Sequence, residues 1–108
     1  MTKDQELSTF LRDIKTCDVI LVIQTEKNKQ TRYLLGMSLL EQDNIIRNLS
    51  NNDYYSGPLS DYDTSKPENL WVFKVNYEGR VLYIKLKILE EQENCKVVVV
   101  ISLHIDYL

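Results

Sequence analysis

The sequence has few of the features that mark several common protein classes, and each scarcity excludes one class. Its two cysteines, Cys17 and Cys95, lie far apart without Cys-x-x-Cys spacing. The sequence therefore indicates neither a zinc site nor a redox motif, and we expect two reduced, structural thiols. The apolar run at 97–101 is far too short to cross a bilayer, and residues 1–6 lack the apolar stretch of a signal peptide. We expect a cytoplasmic protein without a membrane segment.

Positive charge is also scarce, because the chain has a formal net charge of -3 and a pI near 5.1. Proteins that bind nucleic acids usually present a basic surface, so any contact with RNA has to be local. Basic residues nevertheless recur toward the C-terminus, at Lys74, Arg80, Lys85, Lys87 and Lys96. We expect a sheet that is basic on one face within an acidic chain.

Length and composition favour a single globular domain spanning 1–108. The chain is 44% hydrophobic and 27% charged, as in an ordinary folded domain. Its 108 residues are enough for one hydrophobic core but not for a second. The same composition excludes a disordered or collagen-like chain.

The first half of the chain predicts helices around one strand. A first helix over roughly residues 4–16 is indicated by apolar residues at helical spacing, namely Leu7, Phe10, Leu11 and Ile14. The β-branched run 19–23 predicts a buried strand. A second helix is expected from a cap at Thr25 to about Leu35, where Gly36 can end it in a left-handed conformation.

A third helix is expected to begin at Ser38. Ser38 and Glu41 fit a capping box, in which each side chain satisfies the other's backbone amide. Its buried face is predicted at Ile45, Ile46 and Leu49. Residues 50–69 are rich in Asn, Asp, Ser, Pro and Gly without periodicity, so we expect a structured loop.

The remaining residues predict strands at 70–76, 80–89 and 95–104, joined by hairpin turns. The predicted fold class is therefore α+β, with N-terminal helices packed on an antiparallel sheet in the order α-β-α-α-β-β-β.

Period-two alternation assigns the faces of the last two strands. In 80–89 the core face is expected to hold Leu82, Ile84, Leu86 and Ile88, and the other face Val81, Tyr83, Lys85 and Lys87. In 95–104 we expect Val97, Val99, Ile101 and Leu103 toward the core, opposite Val98, Val100, Ser102 and His104. A shared open face would then unite Tyr83, Lys85, Ser102 and His104.

This combination of side chains suits the cleavage of RNA without a metal. His104 is the only histidine, and imidazole titrates near neutral pH. A lysine can stabilise charge on phosphate and a tyrosine can pass a proton. Taken without further information, however, a lone histidine at a strand end is more often a partly exposed terminal residue, and Tyr83, Lys85 and Lys87 read as the solvated face of an amphipathic strand.

Four ordered segments carry a family resemblance: Asp-Tyr-Tyr-Ser-Gly-Pro at 53–58, Leu-Trp-Val-Phe at 70–73, Val-Leu-Tyr-Ile-Lys-Leu-Lys at 81–87 and Val-Ile-Ser-Leu-His at 100–104. In this order and spacing they resemble the MqsR family of toxins. The similarity covers approximately residues 7 to 104 and is strongest from Asp53 onward.

The resemblance implies a RelE-like α+β fold and the toxin of a bacterial type II toxin-antitoxin system. Such a toxin is an endoribonuclease that cleaves messenger RNA without a metal or other cofactor, by attack of a ribose 2'-hydroxyl on the adjacent phosphate. A cognate antitoxin protein, encoded by a neighbouring gene, would neutralise it. The family's catalytic positions fall on Tyr83, Lys85 and His104.

The resemblance also bears on contacts with RNA, which we predict at Tyr55, Ser56, Lys74 and Lys87. One of Tyr54 and Tyr55 is expected to anchor the loop to the core, and the other can stack on a base. Two departures weaken the expected site: Ser56 stands where the family often has lysine, and Val72 where some members have glutamine. Lys66 or Lys74 can compensate for the lost charge.

Two further interpretations follow from the residues. Asp61 and Asp63 lack the additional oxygen ligands that a magnesium or calcium site needs, so no metal is predicted. The departures at Ser56 and Val72, together with the acidic charge, leave open a catalytically degenerate protein that keeps the fold and binds a partner without cleaving RNA.

Overall fold

The computed structural model describes residues 3–60, 69–92 and 95–106, and these form an α+β fold with three helices and a five-stranded sheet. The helices are α1 (Lys3–Thr16), α2 (Glu26–Leu35) and α3 (Leu39–Arg47), followed by a 3-10 turn at Asn51–Asp53. The strands are β1 (Val19–Val22), β2 (Tyr54–Ser60), β3 (Asn69–Tyr77), β4 (Arg80–Gln92) and β5 (Cys95–Ile105). The predicted fold class is confirmed, with one additional strand. No helix in these ranges is long and apolar enough to span a membrane.

The helices begin and end as their sequences predict. Thr25 caps α2 by accepting a hydrogen bond from the Asn28 amide, and Gly36 ends it with a φ of 63°. Ser38 and Glu41 form the capping box of α3. The apolar stripe of α1 is buried, as are Ile46 and Leu49 after the capping box.

The sheet has the strand order β1-β5-β4-β3-β2. β1 runs parallel to β5, and the other neighbouring strands are antiparallel. On one face of the sheet, aromatic and aliphatic side chains pack against α1 and α3; Phe10 of α1 stacks on Trp71 with ring centroids 4.9 Å apart. We call the opposite face the open face. Both cysteines are free, and burial raises the pKa of the Cys17 thiol.

The prediction of a loop over 50–69 is wrong for residues 54–60, which form β2 along β3. Two register shifts interrupt this pairing, so β2 shows no regular alternation in its sequence. Gly57 permits the close approach: it has a φ of 119°, and a Cβ there would lie 2.7 Å from the Leu70 carbonyl oxygen. Residues 61–68 lie outside the described residues, as do the predicted loop residues Asp61, Asp63 and Lys66.

The predicted faces of β5 are correct for residues 102–104 and wrong for residues 97–100, and Ile101, which was predicted toward the core, is half-buried outside the core cluster. Leu86 pairs with Val100 and Lys85 pairs with Ser102, so Ile101 is an extra residue that forms a β-bulge. The bulge changes the phase of alternation. Val98 and Val100 are fully buried in the core, together with Leu103. In a regular strand Val100 and Leu103 would point to opposite faces of the sheet, because they are an odd number of residues apart.

Candidate functional site

Two neighbouring cross-strand rows on the open face hold most of the predicted site residues. In the first row, Tyr83 on β4 pairs with Lys74 on β3 and with His104 on β5. The second row runs in the order Ser56, Val72, Lys85 and Ser102 across four strands. Directly opposed side chains on one face lie about 5 Å apart at Cβ. The sheet register therefore brings together Tyr83, Lys85, Ser102 and His104, as predicted.

Tyr83 and His104 are in ring contact. Their centroids are 5.4 Å apart and the rings are inclined by 19°, which is a stacked arrangement. His104 Nδ1 lies 3.0 Å from the Ile105 carbonyl oxygen. When Nδ1 carries the proton it donates to that oxygen, and Nε2 is then the nitrogen with a lone pair that can accept a proton. The half-buried ring is thus held on one face and at one nitrogen.

Lys85 lies in the second row, beside the Tyr83–His104 pair and opposite Ser102. Its side chain is half-buried and forms no ion pair with any residue the structure describes. An ammonium group in this position is available to an anionic ligand. Lys85 and His104 together therefore offer an ammonium group and an imidazole on adjacent rows.

Lys74 is committed to other partners. Its ammonium nitrogen lies 2.8 Å from Asp106 Oδ2 and 4.0 Å from the centroid of the Tyr55 ring. The hydrogen bond to Asp106 raises the pKa of Lys74. Sequence reasoning missed Asp106, although it follows His104 at the spacing of one face. Lys74 therefore positions the exposed Tyr55 ring, and Asp106 offsets its charge.

Three other predicted positions differ in what they can contact. Lys87 is only 9% exposed, so its interpretation as a solvated strand residue is wrong and little of it can reach RNA. Val72 is 1% exposed and contributes packing. Ser56 is half-buried beside it. Lys96 forms a 2.8 Å ion pair with Asp13 of α1, so the basic character expected of the sheet is largely neutralised or buried.

Asn28 and Thr31 of α2 were also missed, and they fix the strand that carries His104. β1 pairs with residues 97–100 of β5, and beyond them side chains of α2 hydrogen-bond the backbone of Ile101, Leu103 and Ile105. The Asn28 amide donates to the carbonyl oxygens of Ile23 and Ile101 and accepts from the Leu103 amide. Thr31 Oγ1 accepts from the Ile105 amide at 3.1 Å. The sequence did contain a signal for them, because α2 lacks an apolar stripe and must therefore pack on the sheet through polar residues.

A groove of about 450 Å³ lies between α2 and the end of β5. It is lined by Lys27, Gln30, Thr31, Tyr33, Leu34 and His104. His104 therefore borders two surfaces, the open face through its stack on Tyr83 and this groove. We call it the α2 groove.

A second surface surrounds the outer edge of β1, which is the end strand of the sheet. Val19, Leu21 and Ile23 are 43%, 53% and 43% exposed there. Gln42 of α3 lines a groove of about 250 Å³ beside β1, and its buried Oε1 has no hydrogen-bond partner among the described residues. An exposed apolar edge with an unpaired acceptor nearby suits contact with another protein chain.

Within the described residues, no group of three or more histidine, cysteine, aspartate or glutamate side chains is placed to hold a metal ion. Comparison of the chain with protein-family models, curated proteins and solved structures finds no match in any of the three.

Proposed function

We propose that this protein is a metal-independent endoribonuclease and the toxin of a type II toxin-antitoxin pair, acting in the cytoplasm on single-stranded messenger RNA. The observation that carries the proposal is the contact between Tyr83 and His104 with Lys85 in the adjacent row. These are the positions to which the MqsR resemblance assigns catalysis, and an α+β fold is what that resemblance implies.

The proposed reaction is an internal transesterification. His104 Nε2 takes the proton of a ribose 2'-hydroxyl, and the resulting oxygen nucleophile attacks the adjacent phosphorus. The bond from phosphorus to the 5'-oxygen of the next nucleotide breaks, leaving a 2',3'-cyclic phosphate. The leaving oxygen takes up the proton held by His104, directly or through the Tyr83 hydroxyl, and becomes a 5'-hydroxyl. Lys85 stabilises the negative charge that grows on the phosphate oxygens, and Tyr83 orients the phosphate or shares the proton transfer.

The test is cleavage of a single-stranded RNA in the presence of EDTA. We expect wild-type protein to cleave, and His104→Ala to lower the rate by at least about 100-fold, the usual contribution of a general acid or base. Lys29→Ala is the control, because Lys29 is ion-paired with Glu26 on α2 and does not line either surface of His104. Circular dichroism and a melting curve establish that each variant is folded. An unchanged rate for folded His104→Ala would remove the proposed role.

A second candidate function is partner binding without cleavage, which the occupied or buried state of Lys74, Val72 and Lys87 favours. The exposed edge of β1 offers a surface for such a partner, for which the neighbouring gene's antitoxin is the first choice. Expression of the protein alone discriminates between the two candidates. Growth arrest with loss of messenger RNA supports the nuclease, whereas normal growth and intact RNA support the second candidate.

A further inference from the structure

We propose that the α2 groove binds one nucleotide of the RNA strand next to the cleaved phosphate. This inference rests on the proposed function, because it gives the substrate of the same site a second point of attachment. An RNA strand that crosses the Tyr83–His104 row on the open face would continue into the α2 groove, since His104 borders both surfaces.

The wall of the groove is one side of α2. Lys27, Gln30, Thr31 and Leu34 recur at helical spacing and therefore lie along one strip of the helix. Thr31 ties this strip to β5 through its hydrogen bond from the Ile105 amide, and Asn28 adds the bonds to Ile101 and Leu103. The distance between the helix wall and His104 is thus set by buried hydrogen bonds.

The side chains of the groove offer what a nucleotide needs. Its volume of about 450 Å³ falls within the ~300–1,000 Å³ typical of small-ligand sites. The Gln30 amide can both donate to and accept from the edge of a base. Tyr33 and Leu34 are 79% and 62% exposed and supply apolar surface for the base. The Lys27 ammonium, which pairs with no described carboxylate, can meet a phosphate.

The surface of this groove is mostly apolar, and the groups on it that favour RNA over a protein segment are Lys27 and Gln30. These two side chains suit an anionic, hydrogen-bonding ligand, and His104, which is proposed to act on phosphate, forms the end of the groove. By contrast, β1 is the end strand of the described sheet and exposes apolar side chains. Another polypeptide can add a strand to such an edge. The two surfaces therefore fit two different classes of ligand.

Binding can be measured apart from cleavage with a fluorescent single-stranded RNA in which every ribose is 2'-O-methylated, because this RNA lacks the nucleophile. We expect Lys27→Ala and Gln30→Ala each to weaken binding by about 5- to 50-fold, the range for loss of one hydrogen bond to a charged or polar ligand group. Lys29→Ala makes the same charge change on the same helix, outside the groove, and is expected to change affinity by less than about 2-fold. With cleavable RNA the groove variants should raise KM more than they lower kcat.

The possible outcomes separate this inference from the proposed function. Groove variants that bind and cleave RNA like wild type overturn the inference and leave the nuclease standing. Wild-type protein that binds the methylated RNA through Lys27 and Gln30, yet cleaves no RNA, supports the inference and refutes the nuclease. Groove variants that lose binding to the neighbouring gene's product while keeping RNA affinity assign the groove to a protein partner and overturn the inference.

Discussion

At the scale of single residues, the Asn28 side chain takes the place of a neighbouring strand beside part of β5. Its amide accepts from one peptide group of β5 and donates to another, as the backbone of a neighbouring strand would. The helix α2 can therefore cover a sheet edge that would otherwise leave polar backbone groups unpaired. Asn28 is 2% exposed, so water has little access to the backbone groups that its side chain bonds.

Asn28→Ala is expected to lower the free energy of unfolding by about 3 kcal/mol, because it leaves three backbone groups without their partner and part of that loss falls on buried groups. Chemical denaturation measures the effect. Asn44→Ala is the matched control, since Asn44 is exposed on α3, and it should stay within about 0.5 kcal/mol of wild type. Equal losses in both variants would contradict the role assigned to Asn28.

The position of a residue could be predicted where alternation along its own strand determines it, and not where a contact distant in sequence does. Tyr83, Lys85 and His104 lie on adjacent strands, and simple alternation along each strand was enough to place them on one face. Asn28 bonds residues 73 and 75 positions away, and no local pattern reports such a contact. The ion pair between Lys74 and Asp106 likewise depends on the full sheet order.

At the scale of elements, the helices were predictable and the irregular strands were not. Caps such as Thr25 and Ser38 act within four residues, so their effect is written into the local sequence. β2 and the bulge at Ile101 depend on which backbone lies alongside. On both sides of a β-bulge the strand keeps apolar side chains toward the core. Its sequence therefore shows two alternating patterns that are shifted by one residue relative to each other.

One contact between elements is expected to depend on pH. The Tyr77 hydroxyl at the end of β3 donates to Glu41 Oε2 of α3 at 2.6 Å. This hydrogen bond, followed by those from Ser38, lowers the pKa of Glu41, and the carboxylate raises the pKa of Tyr77 to about 12. Folding therefore favours the ionised acid and the neutral phenol.

The difference in unfolding free energy between wild type and Tyr77→Phe should be steady from about pH 5 to pH 9. It should shrink as the pH falls through the lowered pKa of Glu41. It should also shrink as the pH rises from about 10, the ordinary pKa of tyrosine, through the raised pKa of Tyr77. Urea denaturation across this range measures it. Tyr33→Phe is the control, because Tyr33 is 79% exposed, and a difference that does not vary with pH would contradict the assignment.

At the scale of the whole molecule, charge limits how RNA can be held. The chain has a net charge of -3, and the positive groups proposed to meet phosphate are Lys27 and Lys85. Most of the affinity must then come from stacking and hydrogen bonds near His104 and in the α2 groove. This differs from binding by a broad basic surface, which is dominated by the release of counterions.

Affinity for single-stranded RNA is therefore expected to fall by only about 3- to 10-fold between 50 and 200 mM salt, the dependence for some two neutralised phosphates. Fluorescence anisotropy with the methylated RNA at a series of salt concentrations gives the slope. Lys27→Ala should make the slope shallower by about one phosphate contact. A fall of 1,000-fold or more over this range, about that of a protein with six or more such contacts, would contradict the proposal.

The position of β5 has a consequence for how the protein is made. β5 follows every other described strand in the chain, yet it lies between β1 and β4 in the sheet. During synthesis on a ribosome, β1 and α2 emerge early and wait for the strand that joins them to the rest of the sheet. The same strand brings His104 to Tyr83. The core and the candidate site are therefore completed together, and a nascent chain that has not yet released β5 lacks both the β5 part of the core and the Tyr83–His104 contact.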